Sequence, residues 1–230
     1  MAKLCVALDV RLERARRLVE ELADLGVVFK VGQALTLEGG PTFFKEIKSA
    51  GCELFLDLKL HDIPTVVRIA VERAEDMGAD YITLHVLGGA EMVEEAKKGA
   101  DSIKLLGVTL LTSHDRDYLK YLRSEFGEPG EFSLYLAKRA RKLGLYGVVC
   151  SGREVKPIKE GTGLFTAVPG IRFSQEREDQ KRVSSLQEVL RKGADMLVVG
   201  REVYRSTKPR NVVLSMLERL RAHEQAQRHS

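Results

Sequence analysis

Asp57 and Lys59 stand two residues apart inside an apolar run from Glu53 to Leu60, and Asp62 follows just beyond it. On an extended strand Asp57 and Lys59 share one face with Phe55, while Leu54, Leu56 and Leu58 share the other. A leucine face suits packing against helices, so the opposite face carries a carboxylate and an ammonium inward. Buried charges are costly and are usually paired. A charged inward pair near a strand end therefore points to chemistry. A lysine flanked by carboxylates is a compact cation with transferable protons, suited to act as a general acid in a fixed field.

The elements that must position this pair follow one recurring pattern. A charged amphipathic stretch ends in a glycine, and a short apolar run follows. Gly26 precedes Val27-Val28-Phe29-Lys30, Gly51 precedes Leu54 to Lys59, and Gly78 precedes Tyr81 to His85. Gly107 lies within Ile103 to Thr112, Gly144 and Gly147 lead into Val148 to Cys150, and Gly193 leads into Met196 to Gly200. With Leu4 to Asp9 and Leu164 to Val168 this makes eight strands. The glycines read as helix C-caps before buried strands. Helices are expected near Leu12–Leu25, Pro41–Ala50, Pro64–Met77, Ala90–Lys98, Phe132–Leu143, after Ser151, and over Val183–Arg191 and Pro209–Ala222. Such alternation gives βα units and a parallel sheet. Eight of them predict a closed (β/α)8 TIM barrel. An open doubly wound sheet is the alternative, but the glycine-rich dinucleotide fingerprint is absent after strand one, where Asp9-Val10-Arg11 stands. The chain, residues 1–230, reads as a single barrel domain with an insertion at Asp115–Gly130 and a polar tail expected to fray after about residue 223.

In such a barrel the reactive groups sit at the C-terminal ends of the strands. Strand one ends at Asp9, strand two at Lys30-Val31-Gly32, strand three at Asp57 and Lys59, strand four at His85. Strand five ends at Thr112, strand six at Ser151, strand seven at Pro169-Gly170-Ile171-Arg172, and strand eight at Gly200-Arg201. Each also has a structural reading. Asp9 is placed to cap the first helix. Lys30 is within reach of a salt bridge to Asp9 or Asp57. Asp62 precedes Ile63-Pro64, a helix start. His85 and Thr112 suit hydrogen-bonded roles in the barrel. A separate signal is anionic: Gly170, Arg172, Gln180, Gly200 and Arg201 lie in the loops after strands seven and eight, where barrels of this class often bind phosphate. Loop Gly170–Lys181 is long and polar enough to form a closing lid.

Bulk properties exclude several classes. The 230 residues carry 37 basic and 33 acidic side chains, net +4, with signs mixed along the chain. That balance argues against a nucleic-acid surface. No apolar stretch is long enough to span a membrane. Cys5, Cys52 and Cys150 form no CxxC pair, and Cys5 and Cys150, in apolar runs, read as buried free thiols, so a cytoplasmic location is expected.

The segment Asp57-Leu58-Lys59-Leu60-His61-Asp62-Ile63-Pro64-Thr65 resembles the signature of the orotidine 5′-phosphate decarboxylase family. The resemblance extends over almost the whole chain. It includes Val6-Ala7-Leu8-Asp9, Phe29-Lys30-Val31-Gly32, Val108 to Ser113, Pro169-Gly170-Ile171-Arg172, Asp179-Gln180-Lys181-Arg182 and Val199-Gly200-Arg201. Val66 departs from it, standing where a polar residue is common, and Val86-Leu87 replace the small residues usual after the histidine.

That resemblance implies cofactor-independent decarboxylation of orotidine 5′-monophosphate to uridine 5′-monophosphate, the last step of de novo pyrimidine synthesis, in a homodimer. It implies Lys59 as general acid and Asp57 beside the departing carboxylate. It places Asp9, Lys30, Asp62 and Thr65 near the ribose, with Asp62 and Thr65 contributed across the subunit interface. Thr112 lies near the substrate, and Arg172, Gln180, Gly200 and Arg201 face the phosphate. No metal is implied. Two alternatives stand beside this reading. One is a Mg2+-dependent sugar-phosphate enzyme of the same suprafamily, which would carry an acidic residue at the end of strand two where Lys30 stands. The other is a catalytically dead barrel, against which the intact charged set argues.

Overall fold

Each apolar run forms a strand, and ahead of six of the eight a positive-φ glycine turns the chain out of the preceding helix. Gly26 and Gly163 show the device directly, with left-handed φ of 67° and 65° at the ends of their helices. The structure, a computed structural model, describes residues 2–171 and 185–228. The strands are β1 Lys3–Ala7, β2 Val28–Gly32, β3 Glu53–Leu60, β4 Tyr81–His85, β5 Lys104–Val108, β6 Gly147–Val149, β7 Phe165–Val168 and β8 Met196–Val199. They pair in sequence order, all parallel, and β8 closes on β1. The helices are α1 Leu12–Leu22, α2 Gln33–Ser49, α3 Pro64–Asp76, α4 Gly89–Lys98, α5 Arg116–Tyr121, α6 Pro129–Lys142, α7 Val155–Thr162, α8 Leu186–Arg191, α9 Arg201–Tyr204 and α10 Pro209–Arg228. This is the expected (β/α)8 barrel.

Alternation along the strands divides the core in two. Leu54, Leu56, Ile82 and Leu84 join the large layer between strands and helices. Cys5, Val28, Phe55, Tyr81, Leu106, Ala167, Met196 and Val198 point the other way and fill the barrel. Tyr81 is fully buried at the N-terminal end, with the ammonium groups of Lys3 and Lys104 over its ring. This packing fills the floor of the barrel, and the large cleft lies at the opposite mouth.

Several elements differ from the sequence expectation. Helix α2 begins at Gln33, well before Pro41, and a non-helical Gly40 (φ 50°, ψ −150°) kinks it. The turn signal Gly39-Gly40-Pro41 therefore interrupts a helix instead of opening one. Helix α9 follows β8 at once and spans only four residues. Helix α10 continues past His223 to Arg228 instead of fraying. No helix breaker occurs there, and the Glu224 carboxylate accepts the Ala2 N–H at 3.1 Å. The insertion after β5 is partly helical as expected: the Asp115 carboxylate caps α5 by accepting the N–H groups of Asp117 and Tyr118.

Strand β3 is irregular where it matters. Leu56 pairs with Ile82, but the next matched pair is Leu60 with Leu84. Four steps on β3 thus answer two on β4, leaving a two-residue bulge at Asp57–Lys59. Lys59 lies inside it with φ of 49°, one of two non-glycine residues with positive φ among the described residues. A left-handed backbone costs such a residue roughly 1–2 kcal/mol.

Candidate active site

The barrel geometry brings the inward positions of β1 to β4 together at the open mouth. Lys30 is opposite Phe55 in the β2–β3 ladder, and Asp57 is opposite Gly32. Asp57 therefore stands one inward position above Lys30's neighbour. Its carboxylate lies 3.1 Å from Lys30 Nζ through Oδ2 and 2.7 Å from Lys59 Nζ through Oδ1. Lys30 Nζ also reaches Asp9 Oδ1 at 3.4 Å. The result is an alternating chain of charge, Asp9–Lys30–Asp57–Lys59. Both sequence options for Lys30 are realised at once, since it meets Asp9 and Asp57 together.

Exposure grades along this chain. The side chains of Lys30 and Asp57 are only 11% and 13% exposed, whereas Lys59 is 33% exposed and Asp9 54%. Burial lowers the pKa of Lys30, but Asp57 first and Asp9 second outweigh it and raise the pKa above the ordinary lysine value. Burial would likewise favour neutral Asp57, and Lys30 and Lys59 outweigh it, holding the carboxyl below its ordinary range. Each buried charge is kept ionised by its neighbours. The inner pair is fixed, and Lys59 is the cation presented to the cleft.

The cleft is lined by Asp9, Lys30, Asp57, Lys59, Thr112, Gly170, Gly200 and Arg201, among others. Thr112 is in an exposed turn after β5. Gly200 forms the N-cap of α9, and Arg201 is its first residue. A short extra helix after strand eight commonly helps form the phosphate site of such barrels. Asp62 and Thr65 do not line this cleft. Both are exposed, Thr65 in the first turn of α3 and Asp62 in the β3–α3 connection, where its Oδ1 accepts the Ile63 N–H at 2.7 Å. Arg172, Gln180 and most of the loop to Lys181 lie outside the described residues.

One feature escaped the sequence reading, and another departs from it. The hydroxyl of Thr83, fully buried on β4, touches both inward groups of β3. Read alone, a threonine in Tyr81-Ile82-Thr83-Leu84-His85 is an ordinary β-branched strand residue. The other is His85. It packs against His61 with ring centroids 5.4 Å apart, and its Nδ1 is buried with no hydrogen-bond partner among the described residues. Burial, then His61 and Lys59, lower its pKa, so the imidazole is neutral at neutral pH.

A closed parallel barrel whose C-terminal mouth gathers an aspartate–lysine charge chain, with an arginine just after strand eight, has the layout of a (β/α)8 enzyme. The family model for "Orotidine 5'-phosphate decarboxylase / HUMPS family" matches residues 2–216. A relative from Aquifex aeolicus, named orotidine 5′-phosphate decarboxylase, is 48% identical over 221 residues, covering 93% of this chain and 96% of its own. The crystal structure of orotidine 5′-phosphate decarboxylase from Lactobacillus acidophilus superposes with a TM-score of 0.84 at 31% identity, covering 95% of this chain and 98% of that one. That of Methanocaldococcus jannaschii orotidine 5′-monophosphate decarboxylase, complexed with the inhibitor BMP, gives 0.75 at 27% identity, covering 92% and 94%. The chain belongs to the orotidine 5′-phosphate decarboxylase / HUMPS family.

Proposed function

We propose that this chain decarboxylates orotidine 5′-monophosphate to uridine 5′-monophosphate and CO2, with no metal or organic cofactor, in de novo pyrimidine synthesis. The observation that carries the reading is the charge chain ending in Lys59. Breaking the bond from C6 to the carboxylate leaves the electron pair on C6. Lys59 Nζ then delivers a proton to C6 and recovers one from solvent. Its field, fixed by Asp57 at 2.7 Å, is in place before the charge develops. Asp57 faces the departing carboxylate, and Asp9 and Lys30 bind the ribose hydroxyls. Thr112 contacts the substrate near its base. Gly200 and Arg201, with Arg172 and Gln180, hold the phosphate, whose remote binding energy drives closure over the reacting carbon.

Lys30 favours this reading over the Mg2+-dependent branch of the family. Its ammonium stands between Asp9 and Asp57, at 3.4 and 3.1 Å, and supplies the positive charge that a divalent ion would bring there.

The working unit is a homodimer. Asp62 and Thr65 lie outside their own chain's cleft, on a surface that also exposes Ile63, Val66, Ile69 and Leu87. Ile63 and Leu87 follow β3 and β4, Val66 and Ile69 lie early in α3, and exposed apolar side chains of this kind suit burial against a second copy. A two-fold arrangement would carry Asp62 and Thr65 to the partner's ribose site. The free thiols Cys5, Cys52 and Cys150 fit a cytoplasmic location.

One assay tests the activity: loss of orotidine-monophosphate absorbance on adding purified protein in EDTA. Steady turnover is expected. No turnover, or a strict Mg2+ requirement, would defeat the proposal.

A further inference from the structure

Thr83 is the one β4 residue between Ile82 and Leu84, whose partners on β3 are Leu56 and Leu60. The bulge therefore directs two inward residues, Asp57 and Lys59, at a single inward neighbour. The Lys59 N–H donates to Thr83 Oγ1 at 2.8 Å, and the Thr83 hydroxyl donates to Asp57 Oδ1 at 3.0 Å. These directions are forced. An amide N–H can only donate, and an ionised carboxylate can only accept, so the single hydroxyl proton must go to Asp57. Thr83 is at 0% exposure. Thus one buried hydroxyl ties the left-handed backbone of the lysine to the carboxylate that orients its ammonium.

We infer that Thr83 is a positioning residue for the proton-donating lysine, a role that rests on the decarboxylase reading above. It does not line the cleft, so it acts through Lys59 and Asp57 rather than on the substrate. A strained backbone persists only where its surroundings over-determine it. Thr83 supplies the hydrogen bond that does so here. Without the hydroxyl, the Lys59 N–H loses its acceptor and Asp57 keeps only its two ammonium partners. The ammonium then samples positions away from the reacting carbon, where displacements near 1 Å can cost about 100-fold in rate.

The test compares Thr83→Ala with Thr83→Ser. Both lack the methyl group, and only alanine lacks the hydroxyl. Thr83→Ala should lower kcat about 10- to 100-fold, the size expected for losing a hydrogen bond to a charged group. KM should stay nearly constant, and the acid limb of the kcat profile should move to higher pH as Asp57 loses a donor. Thr83→Ser should restore both the rate and the profile. Equal kcat and identical pH profiles in the two variants would overturn the inference, whatever their stability. Turnover by the wild-type enzyme in the same experiment separates the two claims. An inactive wild type defeats the decarboxylase reading, whereas an active wild type with matched variants defeats only the role of Thr83.

Discussion

Replacing Lys59 by alanine should separate catalysis from stability. The lysine side chain is 33% exposed, and removing it leaves Asp57 with Lys30 Nζ at 3.1 Å and the Thr83 hydroxyl at 3.0 Å. The carboxylate stays paired, so the stability loss should be that of a partly exposed ion pair, within about 1 kcal/mol. The barrier should rise far more. Loss of a positioned general acid costs roughly 10²–10⁴ in rate, about 2.7–5.5 kcal/mol. The contrast is Lys30→Ala. That residue is only 8% exposed and serves two carboxylates, so its loss should cost about 3–5 kcal/mol of folding stability. Urea unfolding at one fixed protein concentration gives the stabilities, and substrate absorbance gives the rates. Within the same series Lys59→Gly should be the more stable replacement by about 1 kcal/mol, the left-handed penalty less glycine's greater unfolded freedom. If Lys59→Ala keeps more than about a tenth of kcat, a barrier change under roughly 1.4 kcal/mol, the lysine is not the acid. If it unfolds as readily as Lys30→Ala, the graded burial of the charge chain has been misread.

Three other outcomes follow from the same geometry. Arg201→Ala should weaken binding of orotidine 5′-monophosphate strongly and barely change the poorer turnover of orotidine, which lacks the phosphate; equal damage to both would assign Arg201 to structure. Asp57 has a pKa below the ordinary 3.8, so its ionised form stabilises the fold above that pH, and the contribution fades as pH falls through the folded value. The stability gap between wild type and Asp57→Asn should accordingly be constant at neutral pH and shrink below about 3.8, and a gap unchanged into strong acid would refute the assignment. Mixing inactive Lys59→Ala with inactive Asp62→Ala subunits should restore roughly a quarter of wild-type activity per site, since about half the dimers are mixed and each has one intact site of two; verified exchange with no recovery would keep Asp62 within its own chain.

The charged groups were legible in the sequence because each breaks an apolar run at an inward position. Asp57 and Lys59 differ from their leucine neighbours by strand parity alone, and Lys30 ends a run of Val and Phe. Once eight runs were counted, barrel closure followed and placed Asp9 beside Lys30. Thr83 was illegible for a different reason: its role depends on the β3–β4 register, and the bulge that sets it leaves no local mark. The early start of α2 was hidden by Gly40-Pro41, and α9 is too short to show a period. Arg172 and Gln180 remain proposals from the family resemblance, outside the described residues.

The bulge in β3 has an even count, and that number constrains how this segment can change. A strand repeats every two residues, so two extra residues return Leu60 to the helix-facing layer it would have occupied without them. One extra residue would have turned Leu60 inward and sent the following chain out on the wrong side. Insertions or deletions between Leu56 and Leu60 are therefore not graded in severity by length. Losing a single residue there should scramble the wall of the barrel. Losing two in register would leave a regular, well-packed strand and an inert protein. A deletion of two residues is thus the in-phase route by which this segment can drift towards a silent scaffold.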